Sequence, residues 1–235
     1  MLSQIIQLSL VMALLHAAPL VVAHQEVQLP TTLLKTGRAF PMVGLEVDGL
    51  NTEEVGERIL DAMQNTTQFG LYCTAQRNSN ERRVNAGIVN AIKTSDLYSS
   101  EVHVVAKVPY THLGYERTIL SVKQSLQELN NRNTHVHIML EWPRCDNSIQ
   151  WMNCDRDEMR LPQAIKAAGP PPHHNEFSFV DSWKALEEIY LGEVSLGSNL
   201  PTVASIGVAN FEIEDLQTLE MHGRIFPHVL QVSKA

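Results

Sequence analysis

The chain has 235 residues, of which 44% are hydrophobic and 19% charged, and its formal net charge is −8. That balance belongs to a globular protein with a packed core, and the length suits one large domain. No run of Lys or Arg exceeds two residues, so the basic footprint that grips a nucleic-acid backbone is missing, and nucleic acid is not an expected partner.

The first 23 residues carry no Asp, Glu, Lys or Arg. Residues 5–15 form an apolar stretch, and Val21-Val22-Ala23 supplies a small-residue cleavage pattern. Residues 1–23 therefore read as a signal peptide that sends the chain into the secretory pathway, to the ER or outside the cell. The alternative is an uncleaved N-terminal anchor, although Gln7, His16 and Pro19 interrupt the span. In that oxidising compartment Cys145 and Cys154, with eight residues between them, are spaced for a disulfide. Cys73 is then the odd thiol, and Asn65-Thr66-Thr67 is a glycosylation sequon.

From residue 33 onward, short apolar runs alternate with helical periods, the pattern of βα units around a parallel sheet. The runs predict strands at 42–46, 70–74, 102–108, 135–141, 203–208 and 228–232. Amphipathic helices are predicted at 53–63, 80–92, 115–129, 182–191 and 213–221. Asn80 and Asp181 stand at helix starts as capping residues. The connection 143–180 is much longer than an ordinary βα loop and contains Pro170-Pro171-Pro172. Trp151, Met152, Leu161 and Phe177 give it apolar anchors, which favours a covering or functional loop over a disordered excursion.

In a parallel (β/α) barrel, chemistry is carried at the C-terminal ends of the strands. Those positions are Cys73, Lys107, Glu141, Asn210 and Gln231. A lysine and a glutamate ending neighbouring strands would face each other across a partly dry pocket. The couple reads either as a structural ion pair or as a site in which a protonated Glu141 donates to a carbonyl oxygen. His135 and His137 share a strand face with Glu141 at a spacing that zinc can use, but packed barrel histidines are the expected reading and no metal is predicted. His173-His174 falls in the proline-rich loop as an exposed pair.

Five ordered segments carry a family resemblance: Leu71-Tyr72-Cys73-Thr74-Ala75-Gln76 with Asn80-Glu81; Val105-Ala106-Lys107-Val108; Ile138-Met139-Leu140-Glu141-Trp142-Pro143; Ser182-Trp183-Lys184-Ala185-Leu186; and Ile206-Gly207-Val208-Ala209-Asn210-Phe211. In order and spacing they resemble the successive signatures of aldo-keto reductases. Thr36-Gly37-Arg38-Ala39-Phe40-Pro41-Met42-Val43-Gly44-Leu45 is similar to the hairpin that closes the barrel floor in that family. The resemblance implies an α/β fold, a (β/α)8 TIM barrel spanning 33–235 with about six βα units present and the loop 143–180 inserted after the fourth strand.

It also implies NAD(P)H-dependent reduction of a small-molecule carbonyl substrate, with NADP(H) as cofactor. Of the family's reaction positions only Lys107 is kept: Cys73 stands at the Asp position, Asn78 at the Tyr position and Glu141 at the His position. Tyr110 is the one nearby phenol that could replace the tyrosine. Asn210 and Gln231 match residues that hold the nicotinamide carboxamide, whereas Glu46 adds negative charge near the cofactor. The units that grip the dinucleotide phosphates do not follow Gln231, which reads as a truncated gene model or splice form, a partner-completed barrel or an open degenerate fold, the first being favoured. Unpaired sheet edges in such a remnant invite self-association. Activity is expected to be weak or altered, and the alternative is a non-catalytic barrel that serves as a binding or scaffolding protein.

Overall fold

A computed structural model describes residues 30–47, 50, 52–65, 70–75, 80–94 and 102–232. The signal-peptide segment, Thr66, Thr67 and Asn78 lie outside these residues.

Two short strands, β1 (Thr31–Leu33) and β2 (Ala39–Pro41), pair antiparallel. Their turn is closed by Leu34 N–H donating to the Arg38 carbonyl at 3.0 Å, and it needs Gly37 at φ 77°. The hairpin carries Leu34 and Phe40 onto Leu71, Val105 and Met139, forming a small apolar cluster. This is the barrel-floor hairpin expected from residues 36–45.

The main sheet has six parallel strands in chain order: β3 (Leu45–Glu46), β4 (Leu71–Ala75), β5 (Val102–Val108), β6 (Thr134–Leu140), β7 (Val203–Ala209) and β8 (Val229–Gln231). Parallel neighbours need crossovers, which are supplied by α1 (Thr52–Asn65), α2 (Glu81–Thr94), α3 (Tyr115–Glu128), α6 (Ser178–Tyr190) and α7 (Ile213–His222). The result is a curled sheet holding six of the eight strands of a (β/α)8 barrel.

The period-2 alternation of a strand sorts its side chains. On β5, Val102, Val104, Ala106 and Val108 enter the large core beneath the helices, and on β6 Val136, Ile138 and Leu140 do the same. The alternate residues, including Val105 and Met139, face the lumen. Gly207 lets β7 and β8 approach closely, since a Cβ there would lie 2.6 Å from the Val229 carbonyl oxygen.

The long connection is ordered by its own contacts. It contains α4 (Cys154–Met159), α5 (Gln163–Ala167) and a 3₁₀ turn at Pro172–His174. Cys145 and Cys154 are joined by a disulfide with Cα atoms 5.8 Å apart, within the usual reach of such a bond. Arg117 of α3 is buried beneath the connection. It donates in bidentate fashion to Glu158 at 2.8 and 2.9 Å, and also to the Gly169 and Thr111 carbonyls at 2.7 and 2.9 Å.

One helix start differs from expectation. Helix α6 begins at Ser178, so Asp181 lies in its first turn and does not cap it. The proline-rich segment sets this earlier start, because the Ser178 hydroxyl donates to the Pro172 and Asn175 carbonyls. The Asn80 amide ties strands together: Nδ2 donates to the Val47 carbonyl at 2.9 Å, and Oδ1 accepts from the Thr74 hydroxyl.

Candidate active site

The lumen between the β1–β2 hairpin and the main sheet forms a cavity of about 570 Å³, and Lys107, Glu141 and Asn210 are not in its lining. Glu46, Cys73, Val105, Met139, Val229 and Gln231 are among the residues that line it. Lys107 Nζ donates to the lining residue Glu46, 3.2 Å from Oε2 and 3.4 Å from Oε1. The lysine side chain is only 8% exposed, whereas the glutamate is 45% exposed. Buried ammonium and wetted carboxylate thus share one pair, which lowers the desolvation cost of the charge.

The carboxylate partner of Lys107 is therefore Glu46, and the expected Lys107–Glu141 ion pair is replaced by a pair across the other side of β5. Register explains the geometry: Glu46 sits opposite Cys73 in the β3–β4 pair, and Ala75 sits opposite Lys107 in the β4–β5 pair. A cysteine is too short to block a glutamate two strands away from reaching the ammonium. Cys73 itself remains a thiol, its pKa pushed up to about 11 by burial first and by Glu46 second, with Lys107 pulling the other way. The negative charge beside Lys107 thus comes from Glu46 on β3, not from the residue at position 73.

Glu141 is buried at 4% exposure, just beyond β6, with its N–H donating to the Val108 carbonyl at 2.9 Å. Its own carbonyl accepts from Asn210 Nδ2 at 3.1 Å. Asn210 has φ 59°, a left-handed backbone that asparagine tolerates, and its N–H donates to the Gln231 carbonyl at 2.9 Å. Glu141, Asn210 and Gln231 are consequently linked along the rim. Gln231 Oε1 is buried with no hydrogen-bond partner among the described residues.

Tyr110 is committed elsewhere. Its hydroxyl donates to Asp157 Oδ2 of α4 at 2.7 Å, and its ring packs 6.1 Å from Trp151. None of the four described tyrosines lines the lumen cavity. Tyr72 lies in the core under the helices, Tyr115 bonds Glu188, and Tyr190 packs on the His228 ring.

The histidines gather at the opposite, floor end. His137 Nε2 lies 2.9 Å from His103 Nδ1, and its Nδ1 lies 2.7 Å from the Ser205 hydroxyl. Phe40 meets the His137 ring edge-on at 4.9 Å. Burial, reinforced by the neighbouring His103 and His135, pulls the His137 pKa down to about 3. No group of three or more potential ligands among the described residues is arranged to hold a metal ion. His173, placed by the sequence as an exposed loop residue, has a largely buried ring 3.1 Å from Asp155.

Six parallel strands joined by five crossover helices, with a hairpin floor, define a (β/α) barrel segment. No protein-family model matches the chain. Sequence relatives include an NAD(P)H-dependent D-xylose reductase of Candida tropicalis, 24% identical over 204 residues, covering 87% of this chain and 58% of the relative. They also include the glyoxal reductase of Bacillus subtilis, 26% identical over 203 residues, covering 86% and 57%. An aldo-keto reductase of Bombyx mori in complex with NADP superposes with a TM-score of 0.64 at 18% identity, over 88% of this chain and 59% of that one. The aldo-keto reductase of Brucella melitensis gives 0.61 at 20% identity, over 88% and 64%. The chain is thus similar in sequence and in fold to aldo-keto reductases, and it spans a little over half the length of the curated relatives it matches.

Proposed function

We propose that the chain binds NADP(H) at the C-terminal rim of its strands and supports slow reduction of a small carbonyl compound. The observation that carries this reading is the Lys107–Glu46 pair, which holds a buried ammonium against a residue of the lumen wall although the aspartate implied by the family resemblance is absent. Bound dinucleotide supplies a hydride to the carbonyl carbon. The rim fits the carboxamide end of that group, because Gln231 Oε1 is a buried acceptor that an amide N–H₂ would satisfy.

The chain's own residues then handle the oxygen. Lys107 Nζ donates a proton to the oxygen as the C=O bond becomes C–O–H. The lysine regains its proton from water along Glu46, whose carboxylate is about half exposed. No described tyrosine lines the cavity to share this proton transfer, so turnover is expected to be low.

A second reading, a non-catalytic binding or scaffolding barrel, is favoured by one specific observation: no described tyrosine lines the lumen cavity. Titrating NADPH while following Trp142 and Trp183 fluorescence, and then measuring NADPH oxidation with glyoxal and D-xylose, separates the two. Saturable quenching with slow oxidation that Lys107→Met abolishes supports the reductase. Quenching without oxidation supports the binding barrel, and no quenching overturns both.

We also infer passage through the secretory pathway, with residues 1–23 as its signal and 33–235 as the mature barrel domain. The Cys145–Cys154 disulfide supports this inference. Secretion of the chain from transfected cells, beginning at residue 24 and shifted in mass by glycosylation at Asn65, is the expected result. We further propose self-association through the outer strands β3 and β8, which sedimentation would show as a concentration-dependent dimer.

A further inference from the structure

A second cavity, about 630 Å³, opens at the floor end of the sheet, where β6 and β7 begin, and so at the opposite end of the strands from Lys107. Arg38 reaches it from the β1–β2 hairpin, Arg132 from the turn before β6, and His135 from β6 itself. No Asp or Glu lines it, in a chain whose net charge is −8. Its electrostatics are thus opposite to those of the molecule as a whole.

Two hydrogen-bonding groups in the wall are buried without a partner: Asn131 Nδ2 and the Thr134 hydroxyl. Thr134 is only 6% exposed. Buried polar groups are nearly always satisfied, so a pair of orphans in one basic pocket marks atoms that await an acceptor. The Asn131 side chain is held in position because its Oδ1 accepts from the Asn133 N–H at 3.1 Å. Arg38 Nη1 donates to His135 Nδ1 at 3.0 Å, which leaves the proton of a neutral His135 on Nε2 and keeps the guanidinium at the pocket.

We propose that this floor cavity binds a phosphorylated small molecule. Two guanidinium groups match the double charge of a phosphate monoester. Together with the Asn131 amide and the Thr134 hydroxyl they offer more donors than the two oxygens of a carboxylate can use, while three terminal phosphate oxygens can take them. The volume exceeds that of a phosphate alone, and Leu200 provides an apolar wall for the organic part.

The test is isothermal titration at low ionic strength with inorganic phosphate, glycerol 3-phosphate and, as the uncharged control, glycerol. Phosphate and glycerol 3-phosphate should bind saturably and glycerol should not. Arg38→Gln and Arg132→Gln should each weaken binding about tenfold, the usual scale for losing one charge-assisted contact. Thr134→Val, nearly isosteric, should weaken it by a smaller factor, and Lys107→Met should leave it unchanged. Arg132 is exposed, so its variant tests the site without loading the fold. Two results overturn the proposal: no saturable binding in the millimolar range, or binding that survives Arg132→Gln and disappears in Lys107→Met.

Discussion

Lys107 Nζ lies 3.2 Å from Glu46 Oε2, although the two residues sit on strands separated by β4. Between them stands Cys73, protonated at neutral pH because burial and Glu46 hold its pKa at about 11. A carboxylate has in effect moved one strand sideways while remaining at the same level of the barrel. The lysine therefore has a carboxylate counterion although position 73 is a cysteine, which bears directly on the proposed chemistry of the site.

The long connection depends on Arg117, which is 1% exposed and donates to Glu158 on α4 and to the Gly169 carbonyl. Arg117→Met removes one partner of a buried pair and is expected to destabilise the protein by about 3 to 5 kcal/mol. Limited proteolysis should then cut within 143–175 first. Unchanged cleavage kinetics would show that the connection is held by its disulfide and aromatic contacts alone.

Glu81, 2% exposed, accepts from the Ser125 hydroxyl at 2.8 Å, and burial raises its pKa to about 7. A carboxyl group whose folded pKa is raised favours folding while protonated. Its contribution is full below the ordinary carboxylate range and is lost as pH rises through about 7. Glu81→Gln should accordingly raise Tm at pH 8 and change it little near pH 5. A variant less stable at both values would mean that the carboxylate is favourable as an ion.

His137 and His112 run in the opposite direction. Burial lowers their pKa values to about 3 and about 4. A base depressed on folding stabilises the protein fully above its unfolded pKa, and that contribution is lost as pH falls from 6.5 through the folded value. Each should add a slope of about 1.4 kcal/mol per pH unit in that window. Urea unfolding between pH 7 and pH 4 should show the decline, and His137→Gln should flatten it by about one histidine's share.

The strands were legible in the sequence because alternation and apolar runs dictate them, and 102–108 coincides with β5. The lysine, glutamate, asparagine and glutamine at the rim follow from the strand ends alone. The partner of Lys107 was not legible, since pairing across an intervening strand depends on register and side-chain reach, neither of which is a local property. The same holds for Arg117. A charged residue inside an amphipathic helix reads as solvent-facing until the folded connection closes over it. The start of α6 was missed because Ser178-Phe179-Val180 looks like the tail of a loop, and only the preceding 3₁₀ turn makes it helical.

The role proposed for Glu46 is to hold the Lys107 ammonium as an acidic residue at position 73 would. The most direct measurement is the rate of NADPH oxidation with glyoxal, recorded against pH, for the unaltered protein, Glu46→Gln, and Glu46→Gln combined with Cys73→Asp. At least a tenfold loss is expected in the single variant, about the scale of one lost charge-assisted contact, with recovery in the double variant if Glu46 has this role. An unchanged rate in Glu46→Gln, or no recovery when the carboxylate is returned to position 73, would contradict it.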